Sequence, residues 1–250
     1  MVRAVRAELR KLLGLPAARV SLLLGSLIAP AVAVLNAPYT RHAIAAGTLT
    51  DASDLGLRDL GVGLIGPLIL GVVVVSSEYA STGTDAPGAR QLTTTLTAVP
   101  GRLQLLAAKT AALVLVVAAQ AAVTAAATLT LTAILYGDHA PAPGTARVAG
   151  AILYWVLTAL LAYAITLITR TGIVPLTLLI LNSTVVSLSY LLTKVTHLAA
   201  YLPDIAGAQM FIRGADVPVE LGPATAGLVM AAWVAALLAV GAVLFRRRDA

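Results

Sequence analysis

The chain has 250 residues, of which 59% are hydrophobic and 11% charged, whereas soluble domains carry ~25% charged residues. This composition excludes an ordinary water-soluble domain. Because the chain has no cysteine, disulfides, thiol catalysis and cysteine-based metal sites are also excluded. The net charge of +6 does not indicate a nucleic-acid partner, since the basic residues do not cluster with aromatic residues on one face.

Six apolar stretches without charges dominate the sequence, and each is long enough for a helix to cross ~30 Å of hydrocarbon. A backbone in lipid must satisfy its own hydrogen bonds, which stretches of this length achieve as helices. The sequence therefore predicts an all-α membrane protein with one transmembrane domain over residues 1–250. Only for the second stretch is a buried soluble helix a serious alternative. The predicted spans are 20–40, 60–77, 110–137, 148–169, 171–193 and 221–245.

The basic residues predict the orientation of these spans. If the N-terminus is cytoplasmic, twelve of the 17 basic residues lie in inside segments, as the positive-inside rule requires. We therefore expect a multi-pass protein of the plasma membrane with both termini in the cytoplasm. A cleaved secretory signal in residues 1–35 is the alternative, but the apolar part continues too far for one. The inside residues are Arg3, Arg6, Arg10, Lys11, Arg19, Arg90, Arg102, Lys109, Arg170, Arg246, Arg247 and Arg248.

Residues 2–13 alternate apolar and basic side chains at helical spacing. This pattern predicts an amphipathic helix in the headgroup layer, and a plain basic flank is the alternative. The first span leads into an outside loop with Asp51, Asp54 and Asp59. Their spacing lacks the glycine and glutamate that a calcium loop has at fixed positions, so we expect these carboxylates to be solvated.

The second span carries Gly63, Pro67 and Gly71 on one face, at i, i+4 and i+8. Small residues at this spacing let two helices approach closely, and Pro67 frees a backbone carbonyl and permits a kink. The second span is therefore expected to lie centrally in the bundle.

Polar side chains form stripes on two further spans. The third span has Gln120, Thr124, Thr128 and Thr132 in one ridge, which interhelical hydrogen bonding explains. In the fifth span Asn182 lies near mid-membrane, and a stripe at i, i+4, i+7 and i+11 either packs against a neighbour or lines a route through the membrane. The members of the stripe are Ser183, Ser187, Tyr190 and Lys194. No charged residue interrupts a predicted span, which argues against an ion-coupled carrier.

Residues 78–102 are the most informative hydrophilic segment between spans. Ala89, Leu92, Leu96 and Val99 follow helical spacing, and a proline and a glycine end the pattern. A short helix with one apolar face could enter a groove on a soluble partner, or it could lie on its own bundle. A phosphate-binding loop G-x-x-x-x-G-K-[ST] is absent, since Ala108 stands where the nearest candidate needs glycine.

The segment 194–220 is too long for a tight turn and has apolar patches, so we expect short re-entrant helices buried on protein before the last span. His42, His139 and His197 have no neighbouring ligand at metal spacing. No metal site and no catalytic set of side chains is therefore predicted in this chain.

Several segments, in this order around six spans, resemble the ABC-2 family of ABC-transporter permeases. They are Arg6 to Lys11, Glu78-Tyr79, Gly83-Thr84, Ala98 to Arg102, Leu105 to Lys109, Leu202 to Met210 and the basic tail from Arg246 to Asp249. The resemblance implies a homo- or heterodimer of permeases, bound to cytoplasmic ATPase subunits that hold ATP and Mg²⁺. No cofactor is expected in this chain itself.

The resemblance also implies roles for individual residues. It places the coupling to the ATPase at Glu78, Arg90, Leu92, Leu96, Pro100 and Arg102. It places the translocation pathway on spans two and five, at Gly63, Pro67, Gly71, Asn182, Ser183, Ser187 and Tyr190. About eight extra residues near 85–91 separate this chain from the shorter family pattern, which leaves the coupling contact open.

The sequence thus predicts the permease subunit of an ATP-driven exporter of an amphiphilic drug, antibiotic or peptide. Two alternatives stay open. One is a membrane immunity or assembly factor that does not transport, and the other is an ATP-independent channel or carrier.

Overall fold

A computed structural model describes residues 1–49, 52–79, 102–184, 188–213 and 217–247. Helices hold 83% of this part of the chain, and it contains no strand. The helices are α1 (Val2–Gly14), α2 (Pro16–Ala45), α3 (Leu57–Val62), α4 (Ile65–Tyr79), α5 (Arg102–Tyr136), α6 (Thr145–Thr169), α7 (Ile173–Thr184), α8 (Leu188–Thr193), α9 (Pro203–Ala208) and α10 (Pro223–Arg247), with short 3₁₀ helices at Gly137–His139 and His197–Tyr201.

Five helical segments of the described chain are long and apolar enough to cross a membrane. They are Pro16–Ala45, Leu57–Ser77, Leu103–His139, Thr145–Thr169 and Pro223–Arg246. They coincide with the first four predicted spans and the last, and they confirm the all-helical membrane class. The fifth predicted span, residues 171–193, corresponds to α7 and α8. It does not meet the same length criterion within the described residues and stays a prediction.

The first span and α1 are joined through one residue. Leu15 is extended, with φ −72° and ψ 128°, and Pro16 follows at the first position of α2. A residue before proline avoids helical geometry, and proline is well suited to the first turn of a helix. The chain therefore turns sharply between α1 and α2 without a flexible linker.

The centre of the bundle is built by α4 and α6. The span containing α6 is 78% buried inside the protein and the span containing α4 is 61% buried. Trp155 of α6 is fully enclosed, and its Nε1 donates a hydrogen bond of 3.0 Å to the Leu60 carbonyl. The central position predicted for the second span is confirmed.

Glycines make this packing possible. A Cβ atom added at Gly63 would lie 2.7 Å from the Trp155 ring, and one at Gly71 would collide with the Ala159 carbonyl. The expectation that Gly63 and Gly71 allow close approach is therefore confirmed, and the neighbour that approaches is α6.

The second span is not one continuous helix. It is interrupted at residues 63–64, between α3 and α4. Pro67 stands four residues after Gly63 and cannot donate the helical hydrogen bond to the Gly63 carbonyl, so a helix is weakest at this point. The predicted effect of Pro67 on the backbone is thus realised as a break between two helices.

The first span crosses α4 at very short range. Ser21 Oγ donates a 2.6 Å hydrogen bond to the Gly66 carbonyl, and a Cβ atom at Gly66 would lie 2.7 Å from the Gly25 nitrogen. The buried face of α2 consists of small residues, which permit such crossings. They are Ala18, Ser21, Gly25, Ala29, Ala33 and Ala37.

Candidate functional site

One end of the bundle, called the α1 end here, is held by a buried ion pair. Lys109 Nζ of α5 lies 2.8 Å from Glu8 Oε2 of α1, and the two side chains are only 6% and 10% exposed. A buried charge is costly unless it is paired and hydrogen-bonded. The pair therefore fixes the amphipathic helix α1 against the beginning of the third span.

The surroundings of this pair come from three helices, α1, α4 and α5. Leu12 of α1 and Ala112 of α5 are buried beside it, and Val74 and Ser77 of α4 complete the wall of a small cavity. The cavity measures about 10 Å³, which is at the lower limit of what one water molecule needs. The α1 end is thus tightly packed, and the end of α4 takes part in it.

The coupling residues predicted from the resemblance belong to the same region of the chain. The last residues of α4 include Glu78, and α5 begins at Arg102. The backbone of both is helical, and their side chains lie outside the described residues. Arg90, Leu92, Leu96 and Pro100 also lie outside the described residues, so the contacts of the predicted coupling segment stay predictions.

The predicted pathway residues of the fifth span are only partly described. Asn182 Nδ2 donates a 2.8 Å hydrogen bond to Asp204 Oδ2 of α9, and its Oδ1 accepts from the Ser189 backbone at 3.2 Å. Tyr190 is 37% exposed, and Lys194 Nζ lies 5.0 Å from the centre of its ring. Asn182 therefore ties α7 to α8 and α9. Ser187 and the side chain of Ser183 lie outside the described residues.

The remaining pathway residues belong to a different contact. Gly63 and Gly71 pack against α6, and Pro67 is buried in the same helix pair. The contacts of Asn182 are with α8 and α9 instead. Helix α4 nevertheless packs against α7, where a Cβ atom added at Gly172 would lie 3.2 Å from the Val72 side chain. Whether the predicted pathway residues line a route between these helices stays a prediction.

The end of the bundle opposite α1 contains a second buried ion pair, which corrects one expectation. Asp54 is 2% exposed and not solvated. Its carboxylate binds the guanidinium of Arg147 and accepts a 3.0 Å hydrogen bond from the backbone nitrogen of Arg213. Arg147 also donates to the carbonyls of Ser53 at 2.8 Å and Phe211 at 2.9 Å. These bonds compensate the charge and join three distant segments.

The segment before the last span packs on the protein. Met210 and Phe211 are buried, and the Phe211 ring centre lies 5.4 Å from that of Tyr154. Trp233 Nε1 of α10 donates to the Tyr201 carbonyl at 2.9 Å. Short helices do occur at His197–Tyr201 and Pro203–Ala208, as expected, and their re-entrant character stays a prediction.

The polar ridge of the third span is buried along its length. Gln120, Thr124, Thr128 and Thr132 are each less than 7% exposed, and Gln120 Nε2 donates a 3.0 Å hydrogen bond to the Leu22 carbonyl of the first span. The hydroxyls of Thr124 and Thr128 have no partner among the described residues. The ridge therefore contributes to packing between the first and third spans.

Neither ion pair was predicted from the sequence. Glu8 and Lys109 are 101 residues apart and Asp54 and Arg147 are 93 apart, so no local pattern joins them. One available signal was Lys109 itself, because a lysine close to an apolar stretch needs either water or an acidic partner.

The helices and their packing define a multi-helix membrane protein. A scan against protein-family models finds no match for the chain, and a search of curated proteins finds no significant relative. The assignment of a more specific class therefore rests on the residues themselves.

Proposed function

We propose that this chain is the permease subunit of an ATP-driven exporter in the plasma membrane, of the ABC-2 type. In this proposal the fifth apolar segment completes six spans, both termini are cytoplasmic and the segment before the last span forms re-entrant helices. The ATPase is a separate polypeptide, and two permease copies form the membrane unit. The cargo is an amphiphilic drug, antibiotic or peptide.

The observation that carries the proposal is the convergence of three segments at the α1 end. The Arg6 to Lys11 segment, the end of α4 and the Leu105 to Lys109 segment all carry the resemblance to the permease family. They are distant in sequence, yet the Glu8–Lys109 pair and the cavity beside Ser77 bring them into contact. This contact flanks residues 80–101, where a soluble motor would have to engage.

The buried ion pair gives this region a mechanical property that transmission requires. Helix α1 cannot move independently of α5 without separating a buried charge pair, which costs several kcal/mol. A push on the segment between α4 and α5 would therefore move α1 and, through Leu15, the first span.

The first experiment is purification of the chain from its native membranes in mild detergent, followed by an assay of the complex for ATP hydrolysis. The proposal expects a stoichiometric ATPase whose turnover depends on this chain. A chain that purifies alone and does not respond to nucleotide would contradict the proposal and favour a partner-binding or channel role.

The coupling segment is tested in the same preparation. In the double variant Leu92→Asp/Leu96→Asp we expect the ATPase to dissociate while insertion of the chain is unchanged, because charges would occupy the apolar face. Thr94→Asp is the matched control, since helical spacing places Thr94 on the opposite face. Equal loss in both variants, or loss in neither, would contradict the assignment.

A further inference from the structure

A groove beside α1 opens toward the lipid and has the features of a phospholipid site. It lies between α1, the first span and the third span, and measures about 410 Å³, within the ~300–1,000 Å³ typical of small-molecule sites. Leu9 and Leu13 of α1 form its edge, and Leu22 and Ala119 form its walls.

The depth of the groove matches one leaflet of a bilayer. Helix α1 is fixed at the level of Lys109 by the ion pair with Glu8. On α5 the lining of the groove runs from Leu115 to Val123, and Gln120 within it lies about 16 Å beyond Lys109 at ~1.5 Å per residue. Half of a ~30 Å hydrocarbon core has nearly the same depth, so a chain anchored near α1 would reach Gln120.

The lining is suited to hydrocarbon. The residues along its length are mostly leucines, valines and alanines. Gln120 is 6% exposed, and its Nε2 is bound to the Leu22 carbonyl. Its Oε1 is buried as well. The groove therefore offers an acyl chain an apolar wall.

The mouth of the groove is basic. Arg3, Arg6 and Arg10 are exposed on α1, and helical geometry puts Arg6 and Arg10 beside Leu9 and Leu13. Basic side chains at a membrane surface attract anionic lipid headgroups, each with ~1 kcal/mol. The apolar groove is complementary to an acyl chain, and its cationic mouth is complementary to the headgroup of an anionic phospholipid.

We propose that this groove binds one anionic phospholipid of the leaflet on the α1 side, with an acyl chain between the first and third spans and its phosphate at Arg6 and Arg10. The site differs from an ordinary lipid-facing helix surface because α1 contributes to its lining together with the two spans. It does not depend on the exporter function proposed above, and it would hold for a channel or a partner-binding protein equally.

The test uses the full-length chain, purified in mild detergent and stripped of lipid, with added phosphatidylglycerol or phosphatidylcholine as the probe. Native mass spectrometry measures the number of bound lipids and their affinity. We expect one tightly bound phosphatidylglycerol per chain and at least tenfold weaker binding of phosphatidylcholine. Equal binding of the two lipids would overturn the proposal.

Two variants test the two halves of the site. Ala119→Phe fills the exposed groove and should weaken phosphatidylglycerol binding tenfold or more. If Ala119→Phe does not fold, Val123→Trp fills the same groove and replaces it in the test. Arg6→Gln/Arg10→Gln should weaken it roughly 30-fold, which is ~1 kcal/mol per basic residue.

Matched controls lie elsewhere on the surface. Leu228→Phe changes a 72% exposed residue of α10, and Arg246→Gln removes an exposed charge at the other end of the chain. Both should bind phosphatidylglycerol within twofold of the wild type. Unchanged binding in the filled groove, unchanged binding in the arginine variant, or a change of oligomeric state in place of lipid loss would each overturn the proposal.

Discussion

Removal of the lysine from the buried pair at the α1 end gives the sharpest test of the packing described above. In Lys109→Met the Glu8 carboxylate keeps its buried position and loses its partner. At 2.8 Å and an effective dielectric constant of ~20, the lost attraction is about 6 kcal/mol before solvation is counted. Breaking a buried pair by removal of one partner costs ~3–5 kcal/mol in measured cases.

The double variant Glu8→Met/Lys109→Met removes both charges and leaves apolar side chains of similar size. Replacing a whole buried pair by hydrophobic groups of similar volume is often neutral or stabilising. We therefore expect the single variant to lose ~3–5 kcal/mol of unfolding free energy and the double variant to lose less than ~1.5 kcal/mol. The coupling between the two side chains is the loss in the double variant minus the sum of the losses in Lys109→Met and in the single variant of Glu8.

The assay is equilibrium unfolding in mixed detergent micelles, followed by the fluorescence of the two tryptophans, Trp155 and Trp233. Arg3→Gln in the same helix is the control, because it removes an exposed charge, and it should change the free energy by less than ~0.5 kcal/mol. If Lys109→Met loses less than ~1 kcal/mol, or if the double variant loses the sum of the single losses, the reasoning about this pair is refuted.

Three further predictions concern the rest of the bundle and use the same unfolding assay. Gly66→Ala should lose ~1–3 kcal/mol because its new Cβ overlaps the opposing backbone, whereas Gly144→Ala, with nothing within 4 Å, should be nearly neutral. Asp54→Asn should lose ~3–5 kcal/mol because the largely buried guanidinium of Arg147 loses its counter-charge; a loss no larger than that of the exposed control Arg3→Gln would contradict the buried pair. Trp155→Phe should lose at least ~1 kcal/mol with its hydrogen bond, and an unchanged free energy would contradict that bond.

The parts of the fold that could be predicted are those encoded by neighbouring residues. The length of an apolar stretch predicts whether a membrane span exists, and five of the predicted stretches form long apolar helices. The glycine spacing in the second span predicted a close helix contact, and Gly63 and Gly71 do make one. The position of the break also follows locally, because Pro67 affects the residues immediately before it.

The parts that could not be predicted depend on residues far apart. Asp54 was expected to be solvated because its sequence neighbourhood is a polar loop. It is buried because Arg147, which is distant in sequence, supplies the counter-charge. Glu8 gave no sign of its partner either. In the candidate site, the coupling segment lies outside the described residues. The sequence singled out Asn182 as a polar residue of the fifth span, but it did not indicate Asp204 as its hydrogen-bond partner. Local patterns thus identify helices, and the tertiary fold determines which polar groups meet.

The separation of Glu8 from Lys109 has a consequence for how the protein is made. The two residues are 101 positions apart, and ribosomes add ~5–20 residues per second. Glu8 therefore waits at least ~5–20 s after its own synthesis before Lys109 exists to pair with it. During that interval α1 can rest on the membrane surface as an amphipathic helix while the next spans are inserted. The pair can therefore close only after the beginning of the third span has been synthesised.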